Sequence, residues 1–293
     1  MNTPYLKYIA SLVIFGSNGI VASRIALTSY QIVLSRCFIG SLFLIFLFIL
    51  KRKKPKFLQH PGQLLFILLS GTAMGASWMF LFEAYRQIGV SVATLSYYCG
   101  PLIVLILSPL VFKEKLKTEK AAGFLSVVLG MILVNGNSVL MGGLSWGLLC
   151  GVLSACMYAL MVIFSKKAKD ITGLENPMIQ LTVSFIIVGG FTLFTGVSSF
   201  AIPRDSILPV LFLGFINTGL GCYLYFSSIQ KIPAQSVAIF SYLDPLSALL
   251  FSALLLNERL TILQIAGAML ILGGAIFAEL FQRKTSPLEP ASK

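Results

Sequence analysis

The chain is 293 residues long, 57% hydrophobic and 11% charged, with a mean hydropathy of +0.91. Soluble globular proteins carry roughly 25% charged residues, so this composition excludes a domain whose surface faces water on all sides. The net charge of +12 would suit a nucleic-acid-binding patch, but the cations occupy short breaks between apolar blocks, a pattern that argues against nucleic acid and marks membrane orientation instead.

Hydrocarbon about 30 Å thick is crossed by roughly 20 apolar residues of helix. Ten blocks near that length follow one another, at 6–23, 29–50, 63–85, 89–112, 119–136, 143–164, 178–199, 206–229, 234–256 and 261–281. The first carries Asn18, lacks a small-residue cleavage site and leads straight into the second, so it is expected to be retained and not removed as a signal peptide. The second holds Arg36 about two turns from its start, where the guanidinium either snorkels to the outer headgroups or binds a substrate carboxylate. A basic run from Lys51 to Lys56 follows, then His60, the only histidine, placed beside Pro61 in a solvated loop. The third block carries Trp78, the pair Gly71 and Gly75 and, near its outer end, Glu83 and Arg86 at a spacing that suits an interfacial salt bridge. The fourth has Tyr97, Tyr98 and Pro101 near its centre and leads to Glu114. Gly147, Gly151 and Tyr158 lie in the sixth, Asn217 and Tyr223 in the eighth. The ninth carries Ser241, Tyr242, Asp244 and Pro245 and leads to Glu258. The two glycine pairs permit close helix contact, within one chain or in a homodimer. Glu114 and Glu258, at helix ends beside basic residues, read as end caps or loop anchors. Cysteines 37, 99, 150, 156 and 222 all fall within blocks and show no CxxC or Cys/His spacing, so no disulfide framework, metal site or cofactor is expected.

With the N-terminus inside, seventeen of the 22 basic residues fall on that side, only Arg24, Arg86, Arg204 and Arg259 fall on the other, and Arg36 lies within a span. The positive-inside rule then makes both termini cytoplasmic.

Residues 69–134 align with 213–278 without a gap at a constant shift of 144. The shift pairs Gly75 with Gly219, Phe82 with Phe226, Tyr98 with Tyr242, Pro101 with Pro245, Glu114 with Glu258, Gly123 with Gly267 and Gly130 with Gly274. The first two helices of each half match only loosely. Five spans per copy is an odd number, so the second copy enters the membrane from the opposite face, an arrangement common among secondary transporters. The expected fold is all-α and integral to the membrane: ten transmembrane helices as two inverted five-helix repeats, 1–137 and 138–282, followed by a short polar cytoplasmic tail, 283–293.

Two duplicated units carry a family resemblance. They run from Tyr98-Cys99-Gly100-Pro101 to Lys113-Glu114-Lys115-Leu116, and from Tyr242-Leu243-Asp244-Pro245 to Asn257-Glu258-Arg259-Leu260, each followed by a glycine-bearing helix. Over essentially the whole chain the pattern resembles the EamA-type group of the drug/metabolite transporter superfamily. That resemblance implies ten helices, cytoplasmic termini in a bacterial cytoplasmic membrane, a central cavity lined by spans one, three, four, six, eight and nine, and export of a small metabolite.

Proline within a helix removes a backbone hydrogen bond, so Pro101 and Pro245 are candidate gating kinks, or else static bends. Asp244 is the one carboxylate near the midplane, where an unpaired charge costs at least roughly 3 kcal/mol. A substrate cation, a proton or Arg36 would compensate it. Buried amides and phenols belong against other helices or a wet cavity, which makes Asn18, Trp78, Tyr97, Tyr98, Tyr158, Asn217, Tyr223 and Tyr242 the remaining candidates for substrate contact, together with Ser241. The expected partners are a small-molecule substrate, protons through Asp244, and lipid, with the chain monomeric or homodimeric. No HExxH motif or Walker-type loop is present, so neither a zinc enzyme nor a nucleotide-driven pump is expected. The sequence points to a secondary carrier, with an amino acid first among its substrates. Organic cations, nucleotide-sugars, a channel or an auxiliary membrane subunit are the alternatives.

Overall fold

A computed structural model describes residues 3–52, 55–135, 146–194, 202–255 and 261–285, and among these every regular element is helical. Helix is what an apolar environment demands, because hydrocarbon offers the backbone no hydrogen-bond partner of its own. The elements are α1 (Thr3–Gly16), α2 (Asn18–Ala22), α3 (Ser29–Leu50), α4 (Pro61–Tyr97), α5 (Cys99–Phe112), α6 (Thr118–Asn135), α7 (Trp146–Lys167), α8 (Glu175–Phe194), α9 (Arg204–Phe212), a π-helical segment (Leu213–Leu220), α10 (Gly221–Ile229), α11 (Ala234–Phe240), α12 (Leu243–Leu255) and α13 (Ile262–Thr285). Among the described residues, seven stretches are long and apolar enough to cross a membrane: Thr3–Ala22, Ser29–Leu50, Pro61–Ile88, Trp146–Lys167, Glu175–Phe194, Arg204–Ile229 and Ala234–Leu255. Cys99–Phe112 and Ile265–Ala278 are shorter apolar helices. Large apolar side chains stand in the open on outer faces, Leu193 at 83% and Phe194 at 94% exposure among them, a surface suited to lipid. The chain is an integral membrane protein. Glu258 and the tail beyond Thr285 lie outside the described residues.

Residues Pro61 to Tyr97 fall in one helical element, α4, where the sequence predicts two spans parted near residue 87. The contacts with α7 differ along the length of α4. Ser70 and Ser77 meet Met161 and Ser154, so the first part runs antiparallel to α7. Gly151 abuts Ser96 and Gly100 abuts Ala155 and Tyr158, so the last part runs parallel to it. The chain therefore doubles back between Ile88 and Ala93, and α5 continues the returning strand of helix.

Both expected proline kinks are helix starts. Pro101 is the third residue of α5 and Pro245 the third of α12, positions where proline's missing N–H costs nothing. The Ser241 carbonyl, which Pro245 leaves without its helical donor, accepts the Asp244 N–H at 3.2 Å. The expected bend is thus a break followed by a new helix. A second break comes at Ser17 between α1 and α2, where the buried Asn217 side chain donates to the Ile14 carbonyl at 2.9 Å and to Ser17 Oγ at 2.8 Å.

Glycines set how closely the helices approach. Gly71 and Gly75 lie against Gln180 and Ser184 of α8, and Gly147 against Gln87 and Ile88, so both glycine pairs are used inside one chain. Antiparallel α6 and α13 make backbone contact, Gly123 on Gly274 and Gly130 on Gly267; a Cβ at Gly123 or Gly130 would lie 2.6 or 2.5 Å from the facing carbonyl oxygen. The expected salt bridge forms, Arg86 Nη2 to Glu83 Oε1 at 2.8 Å, and the Tyr30 hydroxyl donates to the other carboxylate oxygen at 2.8 Å. His60 is partly exposed, with Nδ1 4.0 Å from Asp170 Oδ2.

Candidate functional site

A cavity of about 800 Å³ lies among the helices, within the range of small-molecule sites. Its walls come from α1 and α2, α4, α5, α7, α10 and α12, with Arg36 and Ile32 added by α3. Gly19, Ala22, Ile132, Leu133 and Leu263 line one end, and Gly19 and Leu263 are exposed there. On α1 the lining stops at Leu12 in the other direction. The cavity therefore opens toward the face opposite the chain's first residues and has a floor near mid-depth.

Hydroxyl groups from α1, α7, α10 and the turn after α11 make that floor. Tyr8 of α1 donates to the Val237 carbonyl at 2.9 Å and lies 2.8 Å from Ser241 Oγ. Tyr158 of α7 sits 2.9 Å from the same Ser241 oxygen and 3.2 Å from the Tyr225 hydroxyl of α10. Below the floor, the turn joining α10 to α11 is held by two charges. Lys166 Nζ donates to the Ile229 carbonyl at 2.9 Å and also to the Ile232 carbonyl. Glu114 accepts the Ala234 and Gln235 N–H groups at 2.8 and 3.2 Å. A cation thus meets the C-terminal end of one helix and an anion the N-terminal end of the next, both signs matching the helix dipole. Lys113, at φ 57° in the left-handed region, ends α5 and turns Glu114 toward α11. Sequence reading treats Glu114 as an end cap or anchor; the helix it caps belongs to the other half of the chain.

The walls bring together Asn18, Arg36, Trp78, Tyr97, Tyr98, Tyr158, Asp244, Pro101 and Pro245. Arg36 is 7% exposed, so it does not snorkel to headgroups. Its Nε donates to Thr218 Oγ1 at 2.9 Å and its Cζ lies 4.5 Å from the centroid of the Trp78 ring. Asp244 is half-buried and lines the cavity together with Tyr98. Arg36 and Asp244 form no direct ion pair: the two ion pairs among the described residues are Arg86 with Glu83 and His60 with Asp170. The Asn18 side-chain oxygen has no hydrogen-bond partner.

Three candidates stand outside the cavity lining. Asn217 is fully buried and spends its donors on the break at Ser17. The Tyr242 hydroxyl donates to the Tyr98 carbonyl at 2.8 Å and its ring packs edge-on against Phe124. Tyr223 lies beside Lys51, whose Nζ is 5.7 Å from the ring centroid; its neighbour Cys222 takes the cavity-facing place, and one residue turns a helix by about 100°. Sequence reasoning missed Ser77, Phe82, Tyr85, Tyr225 and Phe226, all of which line the cavity. The signal for two of them lay in the repeat, which pairs Phe82 with Phe226.

Residues 3–136 and 145–280 each match the EamA-like transporter family. The chain belongs to that family. It is 26% identical over 276 residues to the uncharacterized transporter YxxF of Bacillus subtilis strain 168, across 93% of this chain and 88% of the relative. It is 27% identical over 237 residues to a probable amino-acid metabolite efflux pump of Salmonella typhimurium, across 74% of this chain and 78% of that protein. A solved crystal structure at 17% identity covers 96% of this chain and 99% of its own with a TM-score of 0.82, so the fold is shared. As an EamA-like transporter the chain acts on a small molecule from within the membrane.

Proposed function

We propose that this EamA-like transporter exports a small zwitterionic metabolite, an amino acid or close relative, across the bacterial cytoplasmic membrane by alternating access. On this reading its ten spans form two inverted repeats, residues 1–137 and 138–282, with both termini cytoplasmic. Support for the arrangement comes from the 144-residue shift, the twofold family match, the antiparallel α6 and α13 and the uneven split of basic residues.

The observation that carries the substrate is Arg36 and Asp244. Both border one cavity, their charges are opposite, and neither has a protein counter-ion among the described residues. A charge held away from water needs a partner. An α-carboxylate satisfies Arg36, and an α-ammonium satisfies Asp244 and the open oxygen of Asn18. Trp78, Tyr97, Tyr98 and Tyr158 then face the remainder of the molecule, suited to an apolar side chain. An organic cation leaves Arg36 unpaired, and a nucleotide-sugar brings more negative charge than one arginine offsets. When the substrate leaves, a proton on Asp244 is the simplest replacement for the ammonium, which links export to proton entry.

The test is transport of labelled amino acids into liposomes holding the purified protein, with and without a pH gradient. Arg36→Gln and Asp244→Asn are each expected to lower transport at subsaturating substrate about ten- to a hundred-fold, as loss of a charge-assisted pair does. Unchanged transport in both variants, or equal transport of a cation with no carboxylate, overturns the proposal.

A further inference from the structure

The π-helical segment Leu213–Leu220 answers to nothing the sequence announced. Such turns bond to the fifth residue back, are less favourable than α-helix and occur often at functional sites. Here the consequence falls on Thr218. Its hydroxyl donates to the Leu213 carbonyl, five residues back, at 2.8 Å. In an α-helix a threonine hydroxyl bonds back three or four residues. A hydroxyl has one proton; with that proton committed to Leu213, the Thr218 oxygen meets Arg36 Nε as an acceptor, at 2.9 Å.

Two neighbours thereby fix the guanidinium. The Trp78 ring has Cζ over it at 4.5 Å from its centroid, and Thr218 holds Nε; together they restrict where the guanidinium can turn. The four N–H groups on the two Nη atoms keep no protein acceptor among the described residues, although Arg36 is 7% exposed and borders the cavity. Those groups form one of the edges that match a carboxylate in two parallel bonds. Glycine makes the approach possible. A Cβ at Gly40, one turn beyond Arg36, would sit 2.9 Å from Thr218 Cγ2, and a Cβ at Gly214 would sit 2.5 Å from Ile39 Cβ.

We propose that Thr218 is a positioning residue for substrate selection: set by the π-turn, it aims the free edge of Arg36 into the cavity and so gives the transporter its preference for a free carboxylate. This rests on the reading that Arg36 receives the substrate carboxylate. Thr218 itself touches no substrate.

The test uses full-length protein in liposomes and whichever of the twenty labelled amino acids the wild type carries best, with that amino acid's α-carboxamide as competitor. Thr218→Val keeps the shape and removes the hydroxyl. The expected result is a half-saturation concentration about ten-fold higher with maximal rate within about two-fold, and Thr218→Ser restores it. The wild type prefers the acid to the carboxamide, and Thr218→Val loses that preference. Tryptophan fluorescence in a Trp146→Phe background follows the same titrations at Trp78, independently of flux. Unchanged half-saturation in Thr218→Val overturns the inference, as does equal weakening of acid and carboxamide. Arg36→Gln separates the two claims: if it abolishes acid selectivity while Thr218→Val does not, only the positioning role fails; if it leaves selectivity intact, the reading of Arg36 fails, and with it this one.

Discussion

The two ends of the cavity are closed, or left open, by different chemistry. At the floor, Tyr8, Tyr158, Tyr225 and Ser241 join α1, α7, α10 and the turn after α11 through hydroxyls, and Glu114 and Lys166 clamp the turn between α10 and α11 beneath them. At the mouth, the apolar residues Gly19, Ala22, Ile132, Leu133 and Leu263 line the opening together with Thr261. Parting the floor means stripping polar groups of their partners in a medium of low dielectric, where an unmade bond is costly. The five apolar residues bring no side-chain bond of that kind to the mouth. On the alternating-access reading proposed above, the floor sets the barrier to exchange.

The largest expected break comes at Glu114. Its carboxylate serves two backbone N–H groups at the start of α11, and Glu114→Ala leaves both without it, at roughly 1–3 kcal/mol for each unsatisfied group. Cys222 borders the cavity and is 2% exposed, so a variant keeping only this cysteine reports access. In that background, Glu114→Ala is expected to raise labelling by a membrane-impermeant maleimide, applied from the floor side, about ten-fold or more. Bound amino acid should still protect Cys222, which separates opening from unfolding. Labelling no faster than in the parent would remove Glu114 from the closure.

Why the sequence disclosed some of this and not the rest follows from what each feature leaves in the chain. The apolar blocks disclosed the helices because hydrocarbon thickness fixes their length, and the duplicated Tyr-x-x-Pro pairs pointed to the broken stretch beside the cavity. That Pro101 and Pro245 begin helices was not legible, since a proline forbids one hydrogen bond without saying on which side the helix resumes. Asn18 and Asn217 look alike as buried amides. Only the break at Ser17, bridged by Asn217, assigns one to the cavity and the other to structure. Tyr85, Tyr225 and Phe226 were missed because lipid and neighbouring helices both accept apolar residues, so a span that is apolar all round does not display its cavity face. The π-turn has no sequence signature, and Thr218 emerged only with it.

A smaller effect is expected beside Glu114, at Lys166. Lys166→Met removes the donor to the Ile229 and Ile232 carbonyls, yet it also removes a charge from a mostly apolar setting against Phe112, whose ring centroid is 5.6 Å from Nζ. Relief of that desolvation offsets part of the lost bonding. Floor-side labelling of Cys222 should rise only about two- to five-fold. An increase matching that of Glu114→Ala would mean that the two ends of the clamp act as one unit, and a double variant no worse than either single one would establish it.

The smallest effect belongs to Tyr158, although its hydroxyl lies at the centre of the floor. Tyr158→Phe deletes one oxygen and the contacts it makes with Ser241 at 2.9 Å and Tyr225 at 3.2 Å. Ser241 keeps its bond to the Val237 carbonyl at 2.8 Å and its contact with Tyr8, so no donor there is stranded, and Tyr225 borders the cavity, where water is the ready substitute. The ring remains, with its edge-on packing against Tyr97 at 5.4 Å. The loss should therefore be about 1 kcal/mol, read as a fall of a few degrees in the midpoint of thermal unfolding in detergent, with floor-side labelling of Cys222 within about two-fold of the parent. A change as large as that of Glu114→Ala would reverse the ranking. It would place closure in the hydroxyl cluster, and the clamp beneath it would then serve to fix the turn between α10 and α11 without holding the floor shut.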